Sequence, residues 1–416
     1  MNISRADSID NTDIISEIET TRKLASIQKI VSISEIPEAD KIVKAQVQGW
    51  ECVIAKKDNF KVGDLVVYFQ PDSILPQRPE FEFMRERKFR VRTIRLKKQI
   101  SSGLIMPLSI LPLETEQFCG NMLVTWNNMK GKEAKNAKKI PIEEGLDLTN
   151  IIGVIKYDPE GKLEQSLIEK EKRGPFMRFL MGFKFFRYIY LKLNSNIKGN
   201  WPVELCGPKT DENRIQTALK VLLDHYNEEW YISEKLDGSS ATFFSYYRKV
   251  WGRVKKCFGT CSRNIWLKTE NNSNYWTISK QFNIKEKLLN NKDLISCQGE
   301  IVGEGIQANK YKVKGLDLYI FNVIKNKIRL PLNEAKSFCE ENGLKFVPIV
   351  FDSFVPIKEI GENKTPMEIV NYMVELSKGK SFLFPRNREG IVVRLYDNPS
   401  ISFKVISPDF LLEDRD

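Results

Sequence analysis

From Thr21 to about Pro112 the chain alternates short apolar runs, rich in Val, Ile, Tyr and Phe, with turn-forming residues. Such runs suit half-buried strands, whose successive side chains face opposite sides. Turn signals fall at Asp58-Asn59, Gly63-Asp64, Pro71-Asp72 and Gly103. Several short strands broken at this spacing predict a small β-barrel of OB type over residues 21–112, preceded by an N-terminal arm over 1–20. The pattern then weakens. Residues 113–200 read as a linker: Asn128 to Lys139 is a solvated basic loop, and Ile142 to Gly161 a short element ending in a turn. Pro175 to Leu193 is the most apolar stretch, but Arg178, Lys184 and Arg187 interrupt it. It predicts a basic amphipathic helix packed by its aromatic face, not a membrane span.

Residues 201–416 read differently, as longer apolar strands mixed with helical runs such as TALKVLLDHYNEEW. Cys297 to Tyr311 is an apolar strand followed by a glycine-rich turn at Gly303 and Gly305. Arg388 to Leu395 is a nearly continuous apolar strand, and Ile401 to Ser407 alternates. The whole is predicted to be α+β: a barrel followed by a larger domain of antiparallel sheets with flanking helices.

The charged residues placed within these strands carry the chemistry. Glu234 to Ser240 reads EKLDGSS, with Lys235 two residues before Asp237 and three before Gly238. A lysine amine can attack the α-phosphate of a nucleoside triphosphate and hold the nucleotide as a phosphoramidate. Asp237 can reach a metal shell or an acceptor hydroxyl, and Gly238 lets backbone pass close to a nucleotide. Downstream, strands deliver Glu300, Glu389 and Lys404 in order. Carboxylates that hold a hydrated divalent ion, and cations that neutralise a triphosphate and departing pyrophosphate, are what phosphoryl transfer requires.

In this order the motifs resemble those of the covalent nucleotidyltransferase superfamily of ATP-dependent ligases and capping enzymes. An OB-like domain ahead of the catalytic one, joined to KTDENR and QGEIVGEGIQ, narrows the resemblance to the Naegleria-type family of ATP-dependent RNA ligases. That resemblance implies a covalent nucleotidyltransferase (ATP-grasp-like ligase) domain after the barrel. It makes Lys235 the nucleophile, with Asp237 and Lys404 as its catalytic partners. It assigns Arg214, Glu234, Gly238, Arg263, Phe321 and Val392 to the nucleotide along with Lys235 and Lys404, Phe321 stacking on the purine and Val392 lying under it. Glu300, Glu389, Asp237 and Asn264 are assigned to the metal. The implied cofactors are ATP and Mg2+ or Mn2+, and the implied substrate is RNA with 3′-hydroxyl and 5′-phosphate ends. Relatives often carry a second lysine two residues before the one at Lys404, where this chain has Ser402. Arg394 or the basic loop near Arg386 are the alternatives for that charge.

Composition agrees. The 416 residues carry a formal net charge of +11, which suits a polyanionic partner. Arg85, Arg87, Lys88, Arg90, Arg92, Arg95, Lys97 and Lys98 crowd one part of the barrel, so Arg90, Arg92, Arg95 and Lys97 are candidate RNA contacts. Seven scattered cysteines predict a reducing, intracellular compartment. The single histidine, His225, reads as a helix-surface or packing residue, which disfavours histidine-based mechanisms. The polar N-terminus predicts no signal peptide, and a soluble monomer without membrane contact is expected. The rival readings are a DNA ligase or GTP-using capping enzyme, and a non-catalytic RNA-binding protein.

Overall fold

The structure is a computed structural model. It describes residues 23–111, 123–124, 140–157, 198–209, 211–250, 253–268 and 270–413. The predicted arm, the basic loop 128–139 and the helix at 175–193 lie outside the described residues. The chain divides into two compact units, Met1–Tyr157 and Asp158–Asp416. No described helix is long and apolar enough to cross a membrane.

The first unit is the barrel. Its strands are β1 (Ala25–Glu35), β2 (Ile42–Val47), β3 (Trp50–Ala55), β4 (Leu65–Phe69), β5 (Ser73–Ile74), β6 (Thr93–Leu96), β7 (Gln99–Ser102) and β8 (Leu104–Met106). Five of them form an antiparallel sheet in the order β3-β2-β1-β4-β8, and β6 pairs with β7. β4 reads LVVYF without alternation because both its faces are covered. Val66 and Tyr68 pack inside with Ile30, Val47 and Trp50. Val67 and Phe69 pack outside with Phe81, Leu148 and Ile152. That outer layer includes part of the expected linker. The amide of Gly145 donates to the Ile27 carbonyl at 2.8 Å, Leu148 N–H donates to Ala25 at 2.8 Å, and Ile155–Lys156 pairs with β5. Residues 140–157 therefore belong to the barrel unit, since the outward apolar residues of β1 and β4 need a cover to leave water.

The second unit holds two sheets. In the larger, Ser239–Val250 lies between Arg253–Cys261 and Ile295–Gly303, and Leu316–Lys325 follows outside the latter. Helices Asn274–Gln281, Ile284–Asn290 and Leu332–Glu341 cover it through Ile278, Leu288 and Phe338. The smaller sheet runs Asn213–Arg214, Ser402–Ile406, Gly390–Leu395, Trp230–Lys235, Ile349–Phe354. Helices Ile215–Asp224 and Pro366–Ser377 pack on it through Leu222 and Met373. Gly390–Leu395 is buried along its whole length, which explains the near-continuous apolar run in the sequence. His225 closes the first of these helices, pairs with Glu228 at 2.6 Å and packs edge-on to Trp230. The six described cysteines are free thiols.

Candidate active site

The chain crosses from the smaller sheet to the larger at Lys235–Ser239. A Cβ on Gly238 would stand 2.3 Å from the Ile301 carbonyl oxygen, so only glycine lets the backbone make this crossing. The amide of Gly238 donates to Glu300 Oε1 at 3.1 Å, which holds that carboxylate beside the crossing. Lys235, at the last position of its strand, lies opposite Gly390. Its Nζ is 2.6 Å from Glu389 Oε2, across 154 residues of sequence. Strand pairing thus gathers the lysine and both glutamates around one point.

Asp237 is held from another direction. Lys310 Nζ donates to its Oδ2 at 2.7 Å, and its amide donates to the Tyr311 hydroxyl at 2.7 Å. Burial keeps that hydroxyl protonated, because the ionised form would lose its hydration. Lys310 and Tyr311 were not singled out by sequence reasoning. The loop before them departs from ordinary backbone: Gln307, Ala308 and Asn309 have φ of 42°, 56° and 49°. Strained positions of this kind concentrate at functional sites. A lysine just after the glycine-rich turn was the one signal available in the sequence. Tyr311 stacks on Phe384 with ring centroids 4.1 Å apart. Arg386 donates to the Lys310 carbonyl at 3.1 Å and lies 5.0 Å over the Phe410 ring. Arg386 thus braces the loop that carries Lys310.

The smaller sheet supplies the remaining cations. Arg214 and Lys404 are parallel neighbours, and Val392 pairs with both Ser233 and Lys404. Lys404 Nζ is 3.1 Å and Arg263 Nη2 3.3 Å from the same oxygen of Asp211, which ties the two together. Asn264 follows Arg263 in the turn before strand Ile265–Leu267. Glu234 is 2% exposed: its Oε2 accepts the Phe382 amide at 2.9 Å, and its Oε1 has no hydrogen-bond partner. Phe321 is half-buried on the larger sheet, 5.9 Å from the Arg394 guanidinium.

One expectation changes. Arg394 is not a second phosphate cation. It is 1% exposed and donates to Ser233 Oγ at 3.2 Å and to Oε1 of the half-buried Glu212 at 3.1 Å, so its charge is already engaged. Burial alone would raise the Glu212 pKa, but Arg394, Lys404 and Arg329 hold it below the usual carboxylate range. Burial lowers the proton affinity of Lys235, yet Glu389, Glu300 and Asp237 together outweigh it and keep the amine above the ordinary lysine value.

The candidate RNA contacts divide in the same way. Arg92, Arg95 and Lys97 are exposed. Lys97 and Lys98 form the two-residue turn between β6 and β7, with φ of 48° and 66° where asparagine and glycine are usual. Arg90 is instead bound to Asp72 at 2.7 Å and lies 3.5 Å over the Tyr157 ring, so it joins the barrel to its outer layer.

An OB-fold domain model matches residues 24–108, and an RNA ligase model matches residues 228–406. No curated protein sequence matches the chain. Among solved structures, a Naegleria gruberi RNA ligase mutant with AMP and Mn is 27% identical with a TM-score of 0.67, covering 95% of this chain and 100% of that one. A second mutant of that enzyme, with ATP and Mn, is 26% identical with a TM-score of 0.67 and covers 94% and 100%. The same ligase with PPi is 27% identical with a TM-score of 0.66 and covers 94% and 98%. The first unit thus matches an OB-fold domain and the second an RNA ligase domain, and over nearly its whole length the chain is similar to the Naegleria gruberi RNA ligase.

Proposed function

We propose that the protein is an ATP-dependent RNA ligase that joins a 3′-hydroxyl to a 5′-phosphate. The observation that carries this reading is the strand-end Lys235 in contact with Glu389 and flanked by Glu300 and Asp237. The deprotonated Lys235 amine attacks the ATP α-phosphorus, a P–N bond forms, and pyrophosphate leaves. A 5′-phosphate oxygen of RNA then attacks the same phosphorus, which breaks the P–N bond and returns the amine. Finally the 3′-hydroxyl attacks the activated 5′-phosphorus, loses its proton, and AMP departs.

Each nearby group has a part in this sequence. Phe321 stacks on the purine and Val392 lies under it. The unpartnered Glu234 Oε1 suits the exocyclic amine of adenine, whereas guanine presents a carbonyl at that position. Arg214, Arg263 and Lys404 bind ribose and phosphates, and Lys310 holds Asp237 in place. Arg92, Arg95 and Lys97 bind the RNA backbone; Arg90 supports the barrel.

Glu300, Glu389 and Asp237 are hard oxygen donors that would hold Mg2+ or Mn2+, and Asn264 would bond to its waters. Among the described residues no three acidic, histidine or cysteine side chains are grouped closely enough to hold a metal ion by themselves, so these carboxylates would share the ion with water and triphosphate. When bound, the ion would neutralise phosphate charge and oppose protonation of Lys235. Incubation with α-labelled ATP and a divalent ion is expected to label the chain, and Lys235→Ala to abolish both labelling and sealing of 5′-phosphate ends. Sealing of a pre-made RNA-adenylate by that variant should survive in part. Label from GTP alone, or full ligation by Lys235→Ala, would refute the assignment.

A further inference from the structure

Strand Ser239–Val250 outruns its sheet. Its pairing with Ile295–Gly303 ends at Phe244, and Arg253–Cys261 pairs with Ile265–Leu267 only at Thr260 and Cys261. Beyond these points the two strands pair with each other: Tyr247 lies opposite Lys256, Arg248 opposite Lys255, and Val250 opposite Arg253. The arm is firmly rooted. Phe244, Tyr246 and Trp266 form an aromatic cluster with centroids 5.5 to 5.7 Å apart, and Lys256 donates to the Asn291 and Asp293 carbonyls at 2.6 and 2.8 Å.

Arg248, Lys249, Arg253 and Lys255 are exposed, and none forms an ion pair with a described residue. Tyr247 and Val254 beside them are 54% and 69% exposed. Like charges directly opposite one another destabilise a two-stranded ribbon, so the arm's own folding does not account for them. Charge on a free edge also discourages edge-to-edge pairing, but that use tolerates either sign. Between Asp237 and Glu270 the sequence holds seven Lys and Arg and no acid.

We propose that this arm binds the sugar–phosphate backbone of the RNA substrate, away from the ends being joined; the proposal rests on the reading of the chain as an RNA ligase. The 12-residue strand begins directly after Gly238, so at about 3.3 Å per residue its far end stands about 36 Å from the adenylylation site. Cations there act on grip and leave the chemistry alone. The exposed Tyr247 offers a face on which a base can stack.

The test is a full-length chain with Arg248, Lys249, Arg253 and Lys255 all changed to Ser. Lysyl-AMP formation should be unchanged, and affinity for long RNA should fall about tenfold or more. The slope of log affinity against log salt should flatten by about 2 to 3, since each neutralised phosphate of a single strand contributes about 0.7. RNA too short to span about 36 Å should bind both chains equally. Swapping the same four positions between Lys and Arg should preserve affinity. Wild-type affinity and slope in the serine variant would overturn the proposal. If the unaltered chain forms lysyl-AMP yet binds no RNA, the RNA ligase reading itself fails and takes the arm with it, so the two failures are distinct. A benzophenone placed at Val254 reports on the arm without removing charge. Cross-linking to long RNA is expected, and its absence in a chain that still seals RNA would also overturn the proposal.

Discussion

Cations at the nucleotide site and cations on the two hairpins live under opposite rules. At the site Lys235 meets Glu389, Lys310 meets Asp237, and Lys404 and Arg263 meet Asp211, with the Arg394–Glu212 pair close by. On or just before the β6–β7 hairpin and on the arm, Arg92, Arg95, Lys97, Arg248, Lys249, Arg253 and Lys255 are exposed without an ion-pair partner among the described residues. Partnered charges in a partly buried cleft are held in place before the substrate arrives, which is the arrangement that stabilises a transition state. Exposed, unpartnered charges attract a polyanion at a distance, and salt screens them. Under the proposed function, this arrangement separates positioning from capture.

The sharpest way to break this division is at the acids. Glu300→Ala and Glu389→Ala should each slow adenylylation by a factor of about 100 or more, because charge stabilisation at the α-phosphate is lost where it is largest. Single-turnover label transfer measures this directly, and wild-type rates would place the metal elsewhere.

A smaller effect is expected on the capture side. Neutralising Arg92, Arg95 and Lys97 together should reduce RNA affinity about tenfold and flatten the salt slope by about 2. Adenylylation should change far less than sealing. An unchanged slope would mean that these side chains only solvate the barrel. Arg90 is left out of this set because its bond to Asp72 and its contact with Tyr157 would turn its removal into a test of folding.

The smallest effect sharpens the comparison within the site. The carboxylates raise the proton affinity of Lys235 against the effect of burial. Removing one negative charge in Glu389→Gln should therefore lower it. More of the amine is then neutral at any pH below its pKa, and an amine-reactive reagent at pH 8 to 9 should modify Lys235 a few-fold faster, as peptide mapping can follow. Slower modification would mean that burial, and not the carboxylates, governs this lysine.

Much of this site was legible in the linear chain for a definite reason. Lys235, Asp237, Glu300, Glu389 and Lys404 sit on or beside apolar strands, where a charged group is costly unless it has a use. Their order along the chain follows from the order of the strands. The barrel was legible because short strands and their turns are local features. What the chain alone did not show are relations between distant segments. Lys310 reaches Asp237 across 73 residues, and strand register, not spacing, sets Lys404 beside Arg214 and Val392. Arg90 and Arg92 look alike in sequence, yet one is bound to Asp72 and the other is exposed. Residues 140–157 looked like a linker until the outer face of β4 supplied their partner. Local pattern encodes which strands form and which residue types can do chemistry. Which charges are neutralised, and which remain available to RNA, depends on contacts that exist only once the sheets have paired.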